Sequence, residues 1–242
     1  MNNSAPATEY VEVPAVGESP VSPPPVVKQL NQLCRHEFGD PYELFENRFL
    51  CRKGGMLLVG PTGVGKSSFL LQCTTLWGRG KPAFGITPTM PLRILILQAE
   101  NDEEDLSEMR DGVFNGLKLS KEDRDYACEN VLVATESART SSGFFEQVVK
   151  PLLEAHRPDL LVIDPALAYL GGDASNQKDV GTFLRNCLNP LLAEYNCGCV
   201  VVHHTNKPPS GKEKSGWKAG DFAYLGSGSA EWANWADRKS VV

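Results

Sequence analysis

The sequence predicts an α/β fold in which helices cover both faces of a mainly parallel central sheet. Near-continuous apolar runs recur along the chain, at residues 94–97, 160–163 and 199–202. Segments with helical apolar spacing separate these runs, and the run at 56–59 leads directly into a glycine-rich loop. Strands that are apolar throughout are typical of parallel sheets buried by helices on both faces. The predicted architecture therefore has three layers.

The individual elements follow from composition and periodicity along the chain. Residues 1–27 are rich in Pro, Ser, Glu and Val and lack basic residues, which indicates a disordered, proline-rich arm. We expect residues 28–242 to form one ordered domain. Its predicted strands are 54–60, 92–100, 130–135, 159–164 and 197–204, and its predicted helices are 28–38, 66–78, 100–114, 143–156, 180–195 and 230–238. The final "KSVV" indicates the start of another strand.

The overall composition limits the classes of partner and compartment. A net charge of −6 means that contact with nucleic acid requires a local basic patch. The seven cysteines form no CxxC pair, and their odd number fits a reducing compartment better than a disulfide scaffold. The sequence has no signal peptide and no apolar run near the roughly 20 residues of a membrane-spanning helix. We expect a soluble, cytoplasmic protein without membrane contact.

The loop "GPTGVGKS", residues 60–67, fits the phosphate-loop pattern G-x-x-x-x-G-K-[ST]. Its glycines permit backbone angles that turn several N–H groups towards one anion, and the following helix offers its positive N-terminus. Lys66 suits the β- and γ-phosphates of ATP, and the Ser67 hydroxyl suits Mg²⁺. The predicted nucleotide-binding residues are Gly60, Pro61, Thr62, Gly63, Val64, Gly65, Lys66, Ser67 and Ser68.

Two carboxylates at strand ends are candidates for metal binding and for activation of water. Asp164 ends an apolar strand and suits Mg²⁺ binding beside Ser67; the alternative is a turn or helix cap before Pro165. Many NTP hydrolases place a glutamate directly after this aspartate, but here Pro165 occupies that position. Glu100 ends another strand, and parallel strands end at one crevice, so we predict that Glu100 is the catalytic base. The alternative is that Glu100 only starts the acidic helix.

His203 and His204 end a further apolar strand at the same predicted edge. A neutral imidazole there suits contact with the γ-phosphate. When the γ-phosphate is lost, the change in this contact would be transmitted to the loop that follows. The alternative for either residue is a structural histidine with a satisfied hydrogen bond.

The segment 205–220 is locally basic in an acidic chain. Lysines neutralise DNA phosphates and tryptophan stacks on unpaired bases, so this segment is a candidate for contact with single-stranded DNA. The alternative is a surface loop with ordinary solubilising lysines. The candidate residues are Lys207, Lys212, Lys214, Trp217 and Lys218.

Five stretches together carry a resemblance to a known family: "GPTGVGKSS", "LQAENDEEDL", "RPDLLVIDPALAYLGGD", "VVVHHTNKPP" and "YLGSGSAEWANWADR". They span about residues 50–238, and their order and spacing match as well as their residue types. In these stretches the sequence resembles the RecA-like ATPases of the hexameric replicative helicase group, in particular RepA-type plasmid helicases and related phage ATPases. The resemblance implies a three-layer, RecA-like P-loop NTPase fold.

The resemblance also implies roles for particular residues. Glu100 would be the catalytic base, Asp164 the Walker B metal ligand, and His203 and His204 would lie at the sensor position. The segment after Asp173 and the loop after Thr205 would meet single-stranded DNA in the channel of a homohexameric ring. An arginine finger would follow "NWA", but Asp237 stands there and the candidate Arg238 comes one position later. The family fold continues with further strands, so we expect the C-terminal part of the sheet to be incomplete.

Three functions remain open from the sequence. The first is an ATP-hydrolysing, DNA-dependent helicase or helicase-like motor in replication of the plasmid or phage type. The second is a recombination or regulatory ATPase of the same fold that does not unwind DNA. The third is a nucleotide-binding interaction module without turnover.

Overall fold

The computed structural model describes residues 27–33, 41–136, 140–205 and 228–241. The chain divides into two units, Met1–Phe38 and Gly39–Val242. In the first unit, the described residues contain a short 3₁₀-helix, Leu30–Gln32, which is shorter than the predicted helix 28–38. The predicted proline-rich arm lies outside the described residues, apart from Val27.

The second unit is built on a six-stranded sheet in the order β5-β4-β6-β7-β3-β8. All neighbouring strands in this sheet are parallel. Its strands are β3 (Gly55–Pro61), β4 (Ile94–Gln98), β5 (Val131–Thr135), β6 (Leu160–Asp164), β7 (Gly198–Thr205) and β8 (Arg238–Val241). Every residue of β4 and β6 is buried, as expected for central strands covered on both faces. A separate antiparallel pair, β1 (Glu43–Phe45) and β2 (Leu50–Cys51), precedes β3.

Among the described residues after β3, seven helical segments connect the strands. They are α1 (Lys66–Gly78), α2 (Glu103–Gly116), α3 (Lys121–Asn130), α4 (Ser141–Phe144, Phe145–Val149 and Lys150–His156 in succession), α5 (Leu167–Leu170), α6 (Gln177–Gly181, Thr182–Leu188 and Asn189–Tyr195 in succession) and α7 (Ala230–Trp235). The middle stretches of α4 and α6 are π-helical, and Pro151 and Pro190 follow them closely. A proline ring clashes with the carbonyl group four residues earlier, and a widened turn relieves this clash. None of the described helices is long and apolar enough to cross a membrane.

Two apolar cores lie on opposite faces of the sheet. Alternate residues of β3 divide between them, since successive side chains of a strand point to opposite faces. Leu57 and Val59 pack with α4, α6 and α7, whereas Met56 and Leu58 pack with α1 and the β1–β2 pair. The predicted three-layer α/β fold with a mainly parallel sheet is therefore confirmed.

Several helices depart from the predicted elements: α5 was not predicted, and α7 ends at Trp235 rather than at residue 238. Helix α2 begins at Glu103 rather than at residue 100, because the Asp102 side chain accepts a hydrogen bond from the Asp105 N–H and so caps the helix. Glu100 therefore precedes the helix. Helix α3 was not predicted; Ser120 caps it, and Ala127 is its buried residue, so its apolar period is weak.

Candidate active site

The parallel strands bring several predicted residues to one edge of the sheet. In the strand register, Gln98 of β4 lies beside Asp164 of β6, and Gly60 of β3 lies beside His204 of β7. The phosphate loop leaves β3 at this edge, and Glu100 follows β4 there. The common direction of the strands thus assembles groups that lie far apart in the sequence.

The phosphate loop has the backbone conformation that its glycines permit. Gly63 and Gly65 have φ angles of +82° and +84°, in the left-handed region that side chains disfavour. A Cβ atom at either position would meet nothing within 4 Å, so the backbone angle and not crowding requires glycine. Gly65 is the N-cap of α1 and has no side chain to accept from the N–H groups of the first turn. These groups suit an anion, which the helix dipole also favours.

Lys66 lies at the centre of this edge. Its side chain is buried, and its ammonium group donates to the carbonyl oxygens of Gly60 and Pro61 at 2.9 and 2.8 Å. Burial lowers the pKa of Lys66, and the nearby carboxylates of Asp164 and Glu100 oppose this effect. The Lys66 ammonium group is thus hydrogen-bonded to uncharged acceptors of the phosphate loop, where a bound phosphate would be within its reach.

His204 connects Lys66 to Glu100. The ammonium nitrogen of Lys66 is 2.9 Å from Nδ1 of His204, and Nε2 of His204 is 3.5 Å from a carboxylate oxygen of Glu100. Lysine has only donors, so Nδ1 accepts and the ring proton of a neutral imidazole sits on Nε2, facing Glu100. The Glu100 side chain is 55% exposed, which leaves its carboxylate open to water.

Asp164 is buried beside Lys66 and the loop. Burial raises its pKa, the charge of Glu100 adds to this, and hydrogen bonds from Ser67 and Gln98 oppose it. A buried carboxylate next to a hydroxyl fits Mg²⁺, since a divalent cation offsets the cost of burying the charge. Magnesium takes few protein ligands and completes its shell with phosphate oxygens and water. The Asp164 carboxylate and the Ser67 hydroxyl group therefore fit Mg²⁺ that is bound together with a nucleotide.

Gln98 is a site residue that the sequence reasoning missed. Its side-chain nitrogen donates to Asp164 at 3.2 Å, and its side-chain oxygen accepts from the backbone N–H groups of Ala99 and Glu100 at 3.0 and 3.1 Å. The side chain is 2% exposed. Gln98 thus links the side chain of Asp164 to the backbone of Glu100. A polar residue inside the apolar run "ILILQ" was the signal that could have revealed it.

The structure separates the two histidines that the sequence analysis treated together. His203 is fully buried on the other face of β7, where its ring stacks on Trp232 with centroids 4.3 Å apart. Neighbouring residues of a strand point to opposite faces, so only one of the pair turns towards Lys66. His203 therefore faces away from Lys66, contrary to the expectation that both histidines lie at the phosphate loop, and His204 is the histidine that contacts Lys66. The sensor role of His204 stays a prediction.

The remaining candidates are not brought to this edge by described contacts. Arg238 begins β8 beside Met56, at the opposite end of β3 from the phosphate loop, and its side chain lies outside the described part of the chain. The predicted DNA-contacting residues Lys207, Lys212, Lys214, Trp217 and Lys218 also lie outside the described residues. Their roles stay predictions.

A groove of about 740 Å³ opens directly beside the phosphate loop. Ser68, Phe69 and Gln72 of α1 form one wall, and Asp105 and Glu108 of α2 contribute carboxylates to the other. The groove thus lies between α1 and α2, and Ser68 at the start of α1 is its lining residue nearest in sequence to Ser67.

Comparison with known proteins identifies the family of this chain. A family model described as an AAA domain matches residues 31–210. The crystal structure of the RadB recombinase is similar to this chain, with a TM-score of 0.44 and 14% identity over 72% of this chain and 71% of that chain. No curated protein matches the sequence. Since the family model covers well over half of the residues, the chain belongs to the AAA domain family.

Proposed function

We propose that this protein binds ATP together with Mg²⁺ and hydrolyses it. The convergence of Lys66, Glu100, Asp164 and His204 around the phosphate loop carries this proposal. A nucleotide-binding module needs the loop and a cation, but it does not need an exposed carboxylate held next to a phosphate-facing histidine. The presence of Glu100 in that position favours turnover over binding alone.

Each residue has a role that follows from its chemistry. The backbone of residues 60–68 surrounds the phosphates, and the Lys66 ammonium leaves the two loop carbonyls to neutralise phosphate charge. Ser67 and Asp164 would hold Mg²⁺, which when bound neutralises charge on the phosphate oxygens. Glu100 orients the attacking water and accepts its proton, since its carboxylate is exposed and lies in front of His204. Pro165 has no carboxylate, so the chemistry depends on Glu100.

The groove beside Ser68 supports adenosine as the nucleoside. Phe69 and Met109 provide apolar surface for a base, and Asp105 and Glu108 provide acceptors for the exocyclic amino group of adenine. Guanine presents a carbonyl oxygen at the same place, which these carboxylates would repel. We therefore expect a preference for ATP over GTP.

We propose further that hydrolysis drives a DNA-dependent motor, as in the helicases of plasmid and phage replication that the sequence resembles. Single-stranded DNA would contact the lysine-rich segment after Thr205 in a homohexameric ring, with Arg238 reaching the nucleotide of a neighbour. The local run of lysines in an acidic chain supports this part. The alternatives are a recombination or regulatory ATPase without unwinding activity, and a binding module without turnover.

Two assays separate these possibilities. Steady-state ATP hydrolysis is measured with and without single-stranded DNA, and unwinding is measured on a forked duplex. Turnover that rises with single-stranded DNA and is accompanied by unwinding supports the motor. Turnover without unwinding favours the recombination or regulatory ATPase, and tight ATP binding without turnover favours the module.

A further inference from the structure

Trp232 makes an unusual contact for a core tryptophan. Its ring stacks on the imidazole of His203 at a centroid distance of 4.3 Å and an interplanar angle of 20°. Trp232 is 1% exposed and His203 is fully buried, so neither ring has room to turn independently. The contact therefore fixes the orientation of His203.

Trp232 is itself fastened to the segment that follows α5. Its indole N–H donates to the carbonyl oxygen of Ala174 at 3.2 Å, and the Ser229 N–H donates to the same oxygen at 3.0 Å. Gly228 lies against this segment so closely that a Cβ atom there would come within 2.3 Å of the Ser175 Cα atom. The start of α7 is thus locked onto Ala174 and Ser175.

His204 of β7 connects the stacked pair of His203 and Trp232 to the phosphate loop. His203 and His204 are neighbours in a strand that pairs with β3 on one side, and the two rings point to opposite faces. His204 meets Lys66 with Nδ1 and faces Glu100 with Nε2. The two rings share one stretch of strand backbone, so a shift of the backbone at His203 would also move the His204 ring relative to Lys66 and Glu100.

We propose that Trp232 is a positioning residue for His204: by stacking on His203 it sets the backbone of the strand end, and so holds the His204 imidazole between Lys66 and Glu100. The expected effect of Trp232 on kcat rests on the proposed ATP hydrolysis. The expected effect of Trp232 on the position of the His204 imidazole does not. Trp232 acts through the two histidines and does not touch the reacting atoms.

Three variants of the full chain test this inference. Trp232→Leu keeps an apolar but smaller side chain and removes the stacking face and the Ala174 hydrogen bond. Trp232→Phe keeps an aromatic face and serves as the rescue variant. Trp235→Phe is the matched control, because Trp235 is a buried residue of the same helix that bonds Asn189 instead of Ala174.

The primary readout is the ¹⁵N spectrum of the His204 imidazole in nucleotide-free protein. We expect Trp232→Leu to shift the Nδ1 and Nε2 resonances of His204 towards a mixture of tautomers, while Trp232→Phe and Trp235→Phe leave them near their original positions. His204 resonances that stay unchanged in Trp232→Leu would overturn the proposal. Because no nucleotide is present, this result is decisive even if the protein proves not to hydrolyse ATP.

The kinetic readout is the separation of kcat from KM for ATP. We expect Trp232→Leu to lower kcat about tenfold with little change in KM, since small misplacements of catalytic groups are costly. A rise in KM alone, or an equal loss in Trp235→Phe, would contradict a positioning role. Should Trp232→Leu fail to fold, Gly228→Ala displaces α7 from Ser175 without altering the tryptophan, and the same shift of His204 is expected. An unchanged His204 spectrum in Gly228→Ala would then overturn the proposal.

Discussion

The Lys66 ammonium nitrogen lies 2.9 Å from Nδ1 of His204, although 138 positions separate the two residues in the chain. The parallel pairing of β3 with β7 produces this contact, because it sets Gly60 beside His204 in the strand register. The contact links the residue that suits phosphate binding to the strand end that faces Glu100. Changes at these positions should therefore affect nucleotide binding and turnover in separable ways.

Replacing Lys66 with methionine should weaken nucleotide binding while the domain stays folded. We expect ATP affinity to fall at least about tenfold, because a hydrogen bond to a charged group is worth about 1.5–3 kcal/mol. Isothermal titration calorimetry gives the Kd. Lys81→Met, at an exposed lysine that follows α1, is the control and should bind like the parent protein. Equal affinities for all three proteins would contradict the assignment of Lys66.

Asp164→Asn should stabilise the nucleotide-free protein at neutral pH and weaken the dependence of ATP binding on magnesium. Burial raises the pKa of Asp164, so its folded-state pKa lies above the unfolded value and its ionised form is costly in the folded state. Each 1 kcal/mol of this cost that the substitution removes would raise Tm by about 2–4 °C. The gain should shrink as pH falls through the raised pKa, because Asp164 then becomes neutral as well.

Thermal unfolding between pH 4 and pH 8 measures this difference, and ATP titrations with and without EDTA measure the magnesium dependence. Asp111→Asn, at an exposed residue of α2, is the control. A lower Tm for Asp164→Asn than for the parent protein at pH 7 would contradict the argument that burial of the Asp164 charge is costly. An unchanged response of ATP binding to EDTA would contradict the role of Asp164 in binding magnesium.

Gly55→Ala should destabilise the domain by about 1–3 kcal/mol, the usual range for overpacking a core. A Cβ atom at Gly55 would come within 2.3 Å of Trp235 Cη2, so the change tests how α7 packs on β3. Urea denaturation measures the free energy of unfolding. Gly112→Ala in α2 is the control; nothing lies within 4 Å of its Cβ position, and it should stabilise the helix by about 0.5–1 kcal/mol. Equal effects of the two changes would contradict the position of α7.

The described cysteines should differ strongly in reactivity. Burial raises the pKa of Cys73 and of Cys197 to about 12, so both stay protonated at pH 8.5, and the thiolate is the reactive form. Cys128 is exposed on α3. We expect iodoacetamide at pH 8.5 to label Cys128 in the native protein, and Cys73 and Cys197 only in denaturant. Mass spectrometry of the digested protein identifies the labelled sites, and early labelling of Cys73 would show that α1 does not pack as described.

The sequence alone was sufficient to predict the fold and the edge of the sheet at which the candidate site lies. The apolar runs specify a parallel sheet, and a parallel sheet places the carboxyl ends of its strands at one edge. Lys66, Glu100, Asp164 and His204 could therefore be assigned to one edge before their contacts were known. Whether that edge hydrolyses ATP, and whether DNA takes part, stay predictions.

Other features depended on contacts that local sequence does not encode. The two histidines are equivalent as strand-end residues, and only the strand register shows which one turns towards the phosphate loop. Gln98 could be read as part of an apolar strand, because its role depends on Asp164, 66 positions away. The stack of His203 on Trp232 joins two residues that lie far apart in the sequence, and no periodic pattern predicts it.

ATP hydrolysis by Glu100→Gln tests the central claim most directly. Steady-state turnover with Mg²⁺ is compared for the parent protein, for Glu100→Gln and for Glu104→Gln, an exposed carboxylate in the first turn of α2. The account predicts turnover in the parent and in Glu104→Gln, a loss of about a hundredfold or more in Glu100→Gln, and ATP affinity retained in all three. Turnover that is unchanged in Glu100→Gln would contradict the account.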